Sequence, residues 1–201
     1  MDRLLLEALR AQTQTLHRQL DSHEVLQPLM SSELCPTNYV SALKALYLPQ
    51  KTLENNLLSH LSTFFPNYIY TARYPLIEKD LMELDDVADD LLLSTKKLSN
   101  QSRILGALYV LEGSKLGARH ILRHLKDKRL PTHFFQSALE DNQSGWKGFA
   151  ELTHSEAINA TETVAAAVDA FNLFIVALSQ NLTNSETRNQ TCLINSKLQH
   201  A

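Results

Sequence analysis

Arg103–Leu125 reads RILGALYVLEGSKLGARHILRHL, and the rest of the chain is organised around it. Leu105, Leu108, Leu111 and Leu116 recur at helical spacing, and no proline intervenes before Pro131. The chain has only five glycines, and Gly106, Gly113 and Gly117 all fall in this one stretch. Each interior glycine costs a helix ~1 kcal/mol relative to alanine, so a chain this sparing with glycine has a use for them. Gly113 and Gly117 are four apart and strip one helix face of side chains. Two uses fit. One is a tight helix crossing, where small residues let two backbones approach. The other is a planar ligand lying against bare backbone, with Ser114 beside it as a hydrogen-bonding group. Spacing alone leaves both open.

A length of 201 residues sets one domain of ordinary size, able to bury a real core. The hydrophobic fraction of 44% and charged fraction of 20% are those of a globular protein. A net charge of −3 gives no basic surface for nucleic acid. Cys35 and Cys192 lie far apart and form no metal or disulfide pattern. The opening MDRLLLEALR carries acidic residues within its apolar part and is not a signal peptide. The longest uncharged apolar run, Ile104–Leu111, is too short to cross a bilayer. A cytoplasmic protein without membrane or nucleic-acid partners is expected.

Outward from the central stretch, helices follow one another and no strand pattern emerges. The first helix is expected from Asp2 to Asp21, with an apolar stripe of Leu5, Leu9, Leu16 and Leu20. A second helix follows Cys35-Pro36, with Thr37 as N-cap and a kink at Pro49. Phe64, Phe65 and Pro66 open a connection, and Pro75 starts the helix PLIEKDLMEL. The acidic run Asp85–Asp90 reads as a solvated connection or helix start. Ser99 or Asn100 caps the glycine-bearing helix, which fades through Lys126–Lys128. Asn142–Gly148 reads as a loop carrying the only tryptophan, Trp146. Thr153 and Glu156 have capping-box spacing for a last helix that buries Ile158, Ala165, Val168, Phe171, Phe174 or Ile175, and Leu178. The expected organisation is an all-α domain over residues 1–180 and a polar, loosely ordered tail over 181–201.

The first helix also carries a polar stripe, Arg10, Thr13, His17 and Asp21, spaced so that all four share one face. A histidine there suits metal ligation, and Arg10 lies ~10 Å along the same face at 1.5 Å per residue. That pairing fits a ligand with a metal at one point and a carboxylate at its edge. Asp21, one turn beyond, either orients the imidazole or is a surface residue. His120 and His124 also have a ligand spacing, but the flanking Arg119 and Arg123 repel cations, and an exposed basic face is the better reading. Phe171 and Phe174 fit a core as well as a pocket wall. Glu54 and Glu112 do not make the repeated Glu/His pattern of a di-metal bundle.

LRAQTQTLH (Leu9–His17) resembles the proximal Leu-Arg-x-x-Thr-x-x-x-His segment of the heme oxygenases, specifically the short bacterial biliverdin-producing type. LYVLEGSKLGA (Leu108–Ala118) is similar to the glycine-bearing distal helix of that family. YPLIEKDLMEL, Trp146–Leu152 and the Ala170–Phe171 region add support, so the resemblance covers about residues 5–180. It implies a single-domain helical fold with heme between a proximal and a distal helix. It further implies His17 as proximal iron ligand, Arg10 on a propionate and Thr13 beneath the ring. Gly113, Ser114 and Gly117 would lie over the distal face, and Phe171 would join the heme contacts. The implied reaction uses heme b as substrate and cofactor, O2 and an external electron donor, and yields biliverdin, carbon monoxide and ferrous iron. The implied partners are a reductase or a small electron-transfer protein of ferredoxin or flavodoxin type, and a biliverdin acceptor such as a phytochrome. A distal helix without side chains lets bound O2 bend along the ring, and a bulky distal base would favour O–O cleavage instead.

The sequence departs from the family pattern in three places. Ser114 stands where some members carry an aspartate, Ala118 replaces a second glycine, and the last helix offers no obvious lysine or arginine for a propionate. Three other readings remain: a non-catalytic heme-binding protein on the same fold, a thiamin-degrading hydrolase, and a structural helical protein. The hydrolase needs an activated cysteine, which neither Cys35 nor Cys192 supplies in this context.

Overall fold

The computed structural model describes residues 3–88, 93–139 and 145–198, as backbone alone from 181 onward. Seven α-helices, with no strand among the described residues, run in order: α1 (Arg3–Asp21), α2 (Pro36–Phe64), α3 (Tyr74–Met82), α4 (Gln101–Leu125), α5 (His133–Gln136), α6 (Gly145–Leu152) and α7 (Ala160–Leu198). Short 3-10 turns at Gln27–Met30 and Ser137–Leu139 complete the order.

α7 is the spine, with α4, α1 and α2 all packed against it. Alanines on its inner face (Ala166, Ala167, Ala170 and Ala177) let these neighbours come close, while Phe171, Phe174 and Leu178 fill the spaces between them. The closest approach is at Gly106 of α4. A Cβ there would stand 2.3 Å from the Thr163 carbonyl oxygen and 2.7 Å from Ala166 Cβ. Asp169 of α7 ties the same crossing at its edge, pairing with Arg103 at 3.3 Å and Lys96 at 2.7 Å. One window within Ala160–Gln180 reaches a mean hydropathy of 1.5, enough by composition for a membrane span, and half of it is buried inside this fold.

Several element boundaries differ from the sequence expectation. α2 begins at Pro36 with Cys35, not Thr37, at the N-cap, because proline's fixed φ suits the first helical position. It runs through Pro49 to Phe64 as one element. Asn100 caps α4, its side chain accepting from Arg103 N at 2.9 Å. Trp146 lies in α6 and not in a loop. Thr153 closes α6 by donating to the Ala150 carbonyl at 2.7 Å, and Asn159 opens α7 by accepting from Glu162 N at 3.0 Å. Ala165 is exposed on α7, whereas Ala166 and Ala167 are buried. The helical backbone continues to Leu198, past the Gln180 boundary expected from the sequence. Asp86 of the acidic run pairs with Lys44 at 2.5 Å; Asp2, Asp89, Asp90, Asn142 and residues 199–201 lie outside the described residues.

Candidate functional site

α1 and α4 approach at Thr13 and Tyr109, whose hydroxyls stand 3.4 Å apart. One turn further along each helix come His17 and Gly113, and another turn on come Asp21 and Gly117. Between these later turns lies a cavity of ≈ 450 Å³, in the ~300–1,000 Å³ range of cofactor and small-molecule sites. Its lining includes Arg10, His17, Asp21, Gly113, Ser114, Gly117 and Phe171. Trp146 of α6, Phe134 and Phe135 of α5, and Leu29 of the first 3-10 turn make its apolar walls. Thr13 is not in this lining. It borders a neighbouring cleft with Arg10, Gln14, His17 and Tyr109. The residue is 2% exposed, and its hydroxyl donates to the Leu9 carbonyl at 2.7 Å, the usual back-bond of a helical threonine.

The two readings of the glycines separate by position. Gly106 serves the helix crossing. A Cβ at Gly113 would meet only Trp146 Cζ3, at 3.8 Å, and one at Gly117 would meet nothing within 4 Å. Their backbone faces the cavity. The floor is therefore bare polypeptide, which a flat molecule can approach closely.

His17 is the one histidine among the lining residues of either cavity. Its Nδ1 lies 2.8 Å from Asp21 Oδ2, which leaves Nε2 free for another partner. The Phe171 ring packs against the imidazole at 6.0 Å between centroids. Arg10 stands exposed at the rim, with no ion-pair partner among the described residues. The His120 and His124 rings meet edge to face, 5.3 Å apart, on an exposed part of α4 and do not line the cavity.

Sequence patterns leave part of the site unmarked. Tyr109, Gly113 and Gly117 share one face at successive turns, so the tyrosine is findable by the same spacing that exposes the glycines. Its ring packs on Trp146 and Phe149 at 6.0 and 6.1 Å, forming an aromatic wall. Gln50 and Arg73 also line the cavity, each almost fully buried, and neither stands in a motif. The wall formed by α5 is held by Asp80 of α3, whose carboxylate accepts from His133 N at 2.8 Å and Phe134 N at 3.0 Å. Burial pushes the Asp80 carboxyl above its usual range, and those two N–H donors act against the rise.

Together, a cleft between two helices of an all-α domain, one histidine on one side and bare backbone on the other make a site with the shape and chemistry to take a flat, metal-bearing ligand. Residues 3–180 match the family model described as heme oxygenase. The chain belongs to the heme oxygenase family, a family of oxidoreductases. It is 28% identical over 156 residues to a heme oxygenase of Xanthomonas campestris pv. campestris, covering 75% of this chain and 92% of that protein. It is 29% identical over 169 residues to heme oxygenase PigA of Pseudomonas aeruginosa, covering 77% and 84%. The fold is that of the Neisseria meningitidis heme oxygenase studied in NO- and CO-bound crystals, with a TM-score of 0.66 and 23% identity over 88% of this chain and 91% of that one.

Proposed function

We propose that the chain opens heme to biliverdin, carbon monoxide and ferrous iron, consuming O2 and electrons from an external donor. The observation that carries this reading is the pairing of His17 with the open faces of Gly113 and Gly117 across one cavity. The residues fit a porphyrin. The walls are apolar and aromatic, the floor is backbone, and Nε2 of His17 is available to the iron.

Each residue has a task in this scheme. His17 binds iron through Nε2 while Asp21 holds Nδ1, fixing the tautomer and the orientation of the ring. Phe171 keeps the imidazole upright. Arg10, at the rim, holds a propionate, with a fork geometry that matches a carboxylate. Thr13 lines the adjoining cleft with Arg10 and His17, and its hydroxyl meets that of Tyr109 at 3.4 Å, so it positions the aromatic wall beside the ring. Gly113 and Gly117 leave room for O2 beside the ring. The Ser114 hydroxyl donates to the Leu111 carbonyl at 2.7 Å, which commits its proton to the helix. Ser114 therefore acts as an acceptor on the distal side. We assign the reaction to the cytoplasm, with a ferredoxin- or flavodoxin-type donor or a reductase as partner and a biliverdin acceptor such as a phytochrome downstream.

Hemin titration followed by ascorbate under air tests the reading. Growth of a Soret band and then a biliverdin band is the expected result. A Soret band that persists unchanged under reductant and O2 would mean a heme carrier. Arg10→Glu should weaken hemin affinity by ~1.5–3 kcal/mol, about ten- to a hundredfold, because a charge-assisted bond becomes a repulsion. The ratio of biliverdin isomers should also change, since a freed ring turns in its pocket. Equal affinity and an equal isomer ratio would take Arg10 out of the site.

A further inference from the structure

Arg73 is a buried cation with no carboxylate on its guanidinium. The residue is 3% exposed and lines the same cavity as Gly113 and Gly117. Its Nε donates to Ser137 Oγ at 2.9 Å, Nη1 to Ser114 Oγ at 3.2 Å and Nη2 to the Phe134 carbonyl at 3.2 Å. The Phe134 ring covers one guanidinium face, 4.4 Å from the central carbon. All of these partners are neutral. Three of the five guanidinium N–H groups are used, so one on each terminal nitrogen remains.

The nearby carboxylates are committed elsewhere. Glu54 accepts from the backbone N–H groups of Arg73 and Tyr74, both at 2.9 Å, and from Tyr70 Oη and Gln50 Nε2, both at 2.7 Å. It therefore sits on the main-chain side of Arg73. Glu112 pairs with Lys115 at 2.8 Å and accepts from Tyr68 Oη at 3.1 Å. Burial lowers the pKa of Arg73 from its ordinary value, with the Glu54 and Glu112 carboxylates acting against the fall, and a guanidinium stays protonated at any physiological pH. Holding such a charge out of water is costly when only neutral groups meet its N–H donors and the carboxylates act from a distance. An anion in the cavity would offset that cost.

We propose that Arg73 is the anion-recognising group of the distal side: its free N–H groups bind small anions, or the negative charge that builds on a ligand, beside the bare face of α4. This inference rests on the heme-binding reading of the same cavity and adds to it the source of distal charge. Ser114 then acts through Arg73. Its lone pair takes up one Nη1–H of a guanidinium that Ser137 and Phe134 already hold in place, while its own proton stays on Leu111. The polarity is the reverse of that expected from a distal carboxylate.

The test compares azide, an anion, with imidazole, a neutral ligand, binding to the hemin-loaded ferric protein at one pH and ionic strength. Arg73→Gln should weaken azide about ten- to a hundredfold, the span of a charge-assisted hydrogen bond, and leave imidazole unchanged. Arg73→Lys should restore part of the azide affinity, because charge returns without the fork. Azide and imidazole weakening together, or azide holding steady, would make Arg73 a structural clamp and overturn the proposal. Ser114→Ala keeps the question decidable if Arg73→Gln does not fold. Loss of the hydroxyl frees Nη1–H, so azide should bind as tightly or more tightly. Weaker azide binding in that variant would make the serine hydroxyl the distal donor and defeat the assignment. Failure of the wild-type protein to bind hemin at all would instead defeat the heme reading itself.

Discussion

Replacing His17 with alanine is expected to lower hemin affinity more than about a hundredfold, because loss of even a metal ligand's outer partner costs about 10–100-fold. Biliverdin formation should fall with it. The fold should survive. The His17 side chain is 62% exposed, and its contacts are Asp21 and one edge of Phe171, so the change in apo stability should stay within about 0.5 kcal/mol. Added imidazole should restore the Soret spectrum, since the deleted side chain leaves a gap of its own shape beside Phe171. An unaltered spectrum in His17→Ala would move ligation to His120 or His124. The structure speaks against that outcome, because both stand on an exposed part of α4 outside the cavity lining.

Helical spacing makes part of this site legible in the amino-acid sequence. Residues repeating every third or fourth position on one helix must share a face, and Arg10, His17 and Asp21 do line one cavity. The same rule places Gly113 and Gly117 together. It cannot say what lies opposite, because that depends on how α1 and α4 lean on α7. Thr13 shares the face too, and it lines the adjoining cleft with Arg10, His17 and Tyr109 where its hydroxyl meets that of Tyr109. Arg73 is out of reach for a different reason. Its partners Ser114, Phe134 and Ser137 come from two other segments, and nothing in TARYPLIEKDL sets one arginine apart.

The differences at helix ends share a cause. A capping box is a four-residue pattern, and Thr153 and Glu156 satisfy it by spacing alone. Asn159 makes the cap at α7, because only there does the chain turn to lay its first helical turn on Ser102 of α4. Trp146, Phe149 and Ala150 do stand at helical spacing, but Asn142, Gly145 and Gly148 around them carry the turn chemistry of a loop. Yet Gly145, with φ of 36°, begins α6, and Tyr68 fixes its carbonyl at 3.3 Å. That tertiary bond seats the indole against Gly113.

Gly106 and Gly117 lie eleven residues apart on one helix, and leucine at each should give opposite phenotypes. At Gly106 the new Cβ meets backbone atoms, the Thr163 oxygen at 2.3 Å and Ala167 N at 2.8 Å, so no rotamer relieves it. Overpacking there should cost ~3 kcal/mol or more, against a helix-propensity gain of at most ~1 kcal/mol. A net loss of ~2 kcal/mol lowers the melting temperature by ~4–8 °C in a domain of this size. Alanine at Gly106 should already show most of the effect, because the clash begins at Cβ. At Gly117 nothing stands within 4 Å, so leucine keeps the propensity gain without the clash, and the apo protein should melt at or slightly above the wild-type temperature. Hemin should still bind through His17, with the leucine side chain filling the space left for O2, and ascorbate-driven biliverdin formation should fall sharply. Thermal melts and turnover on the two variants read out the separate duties of the glycines. A Gly117→Leu protein that melts far below wild type yet makes biliverdin at the normal rate would return that glycine to helix packing and remove it from the site.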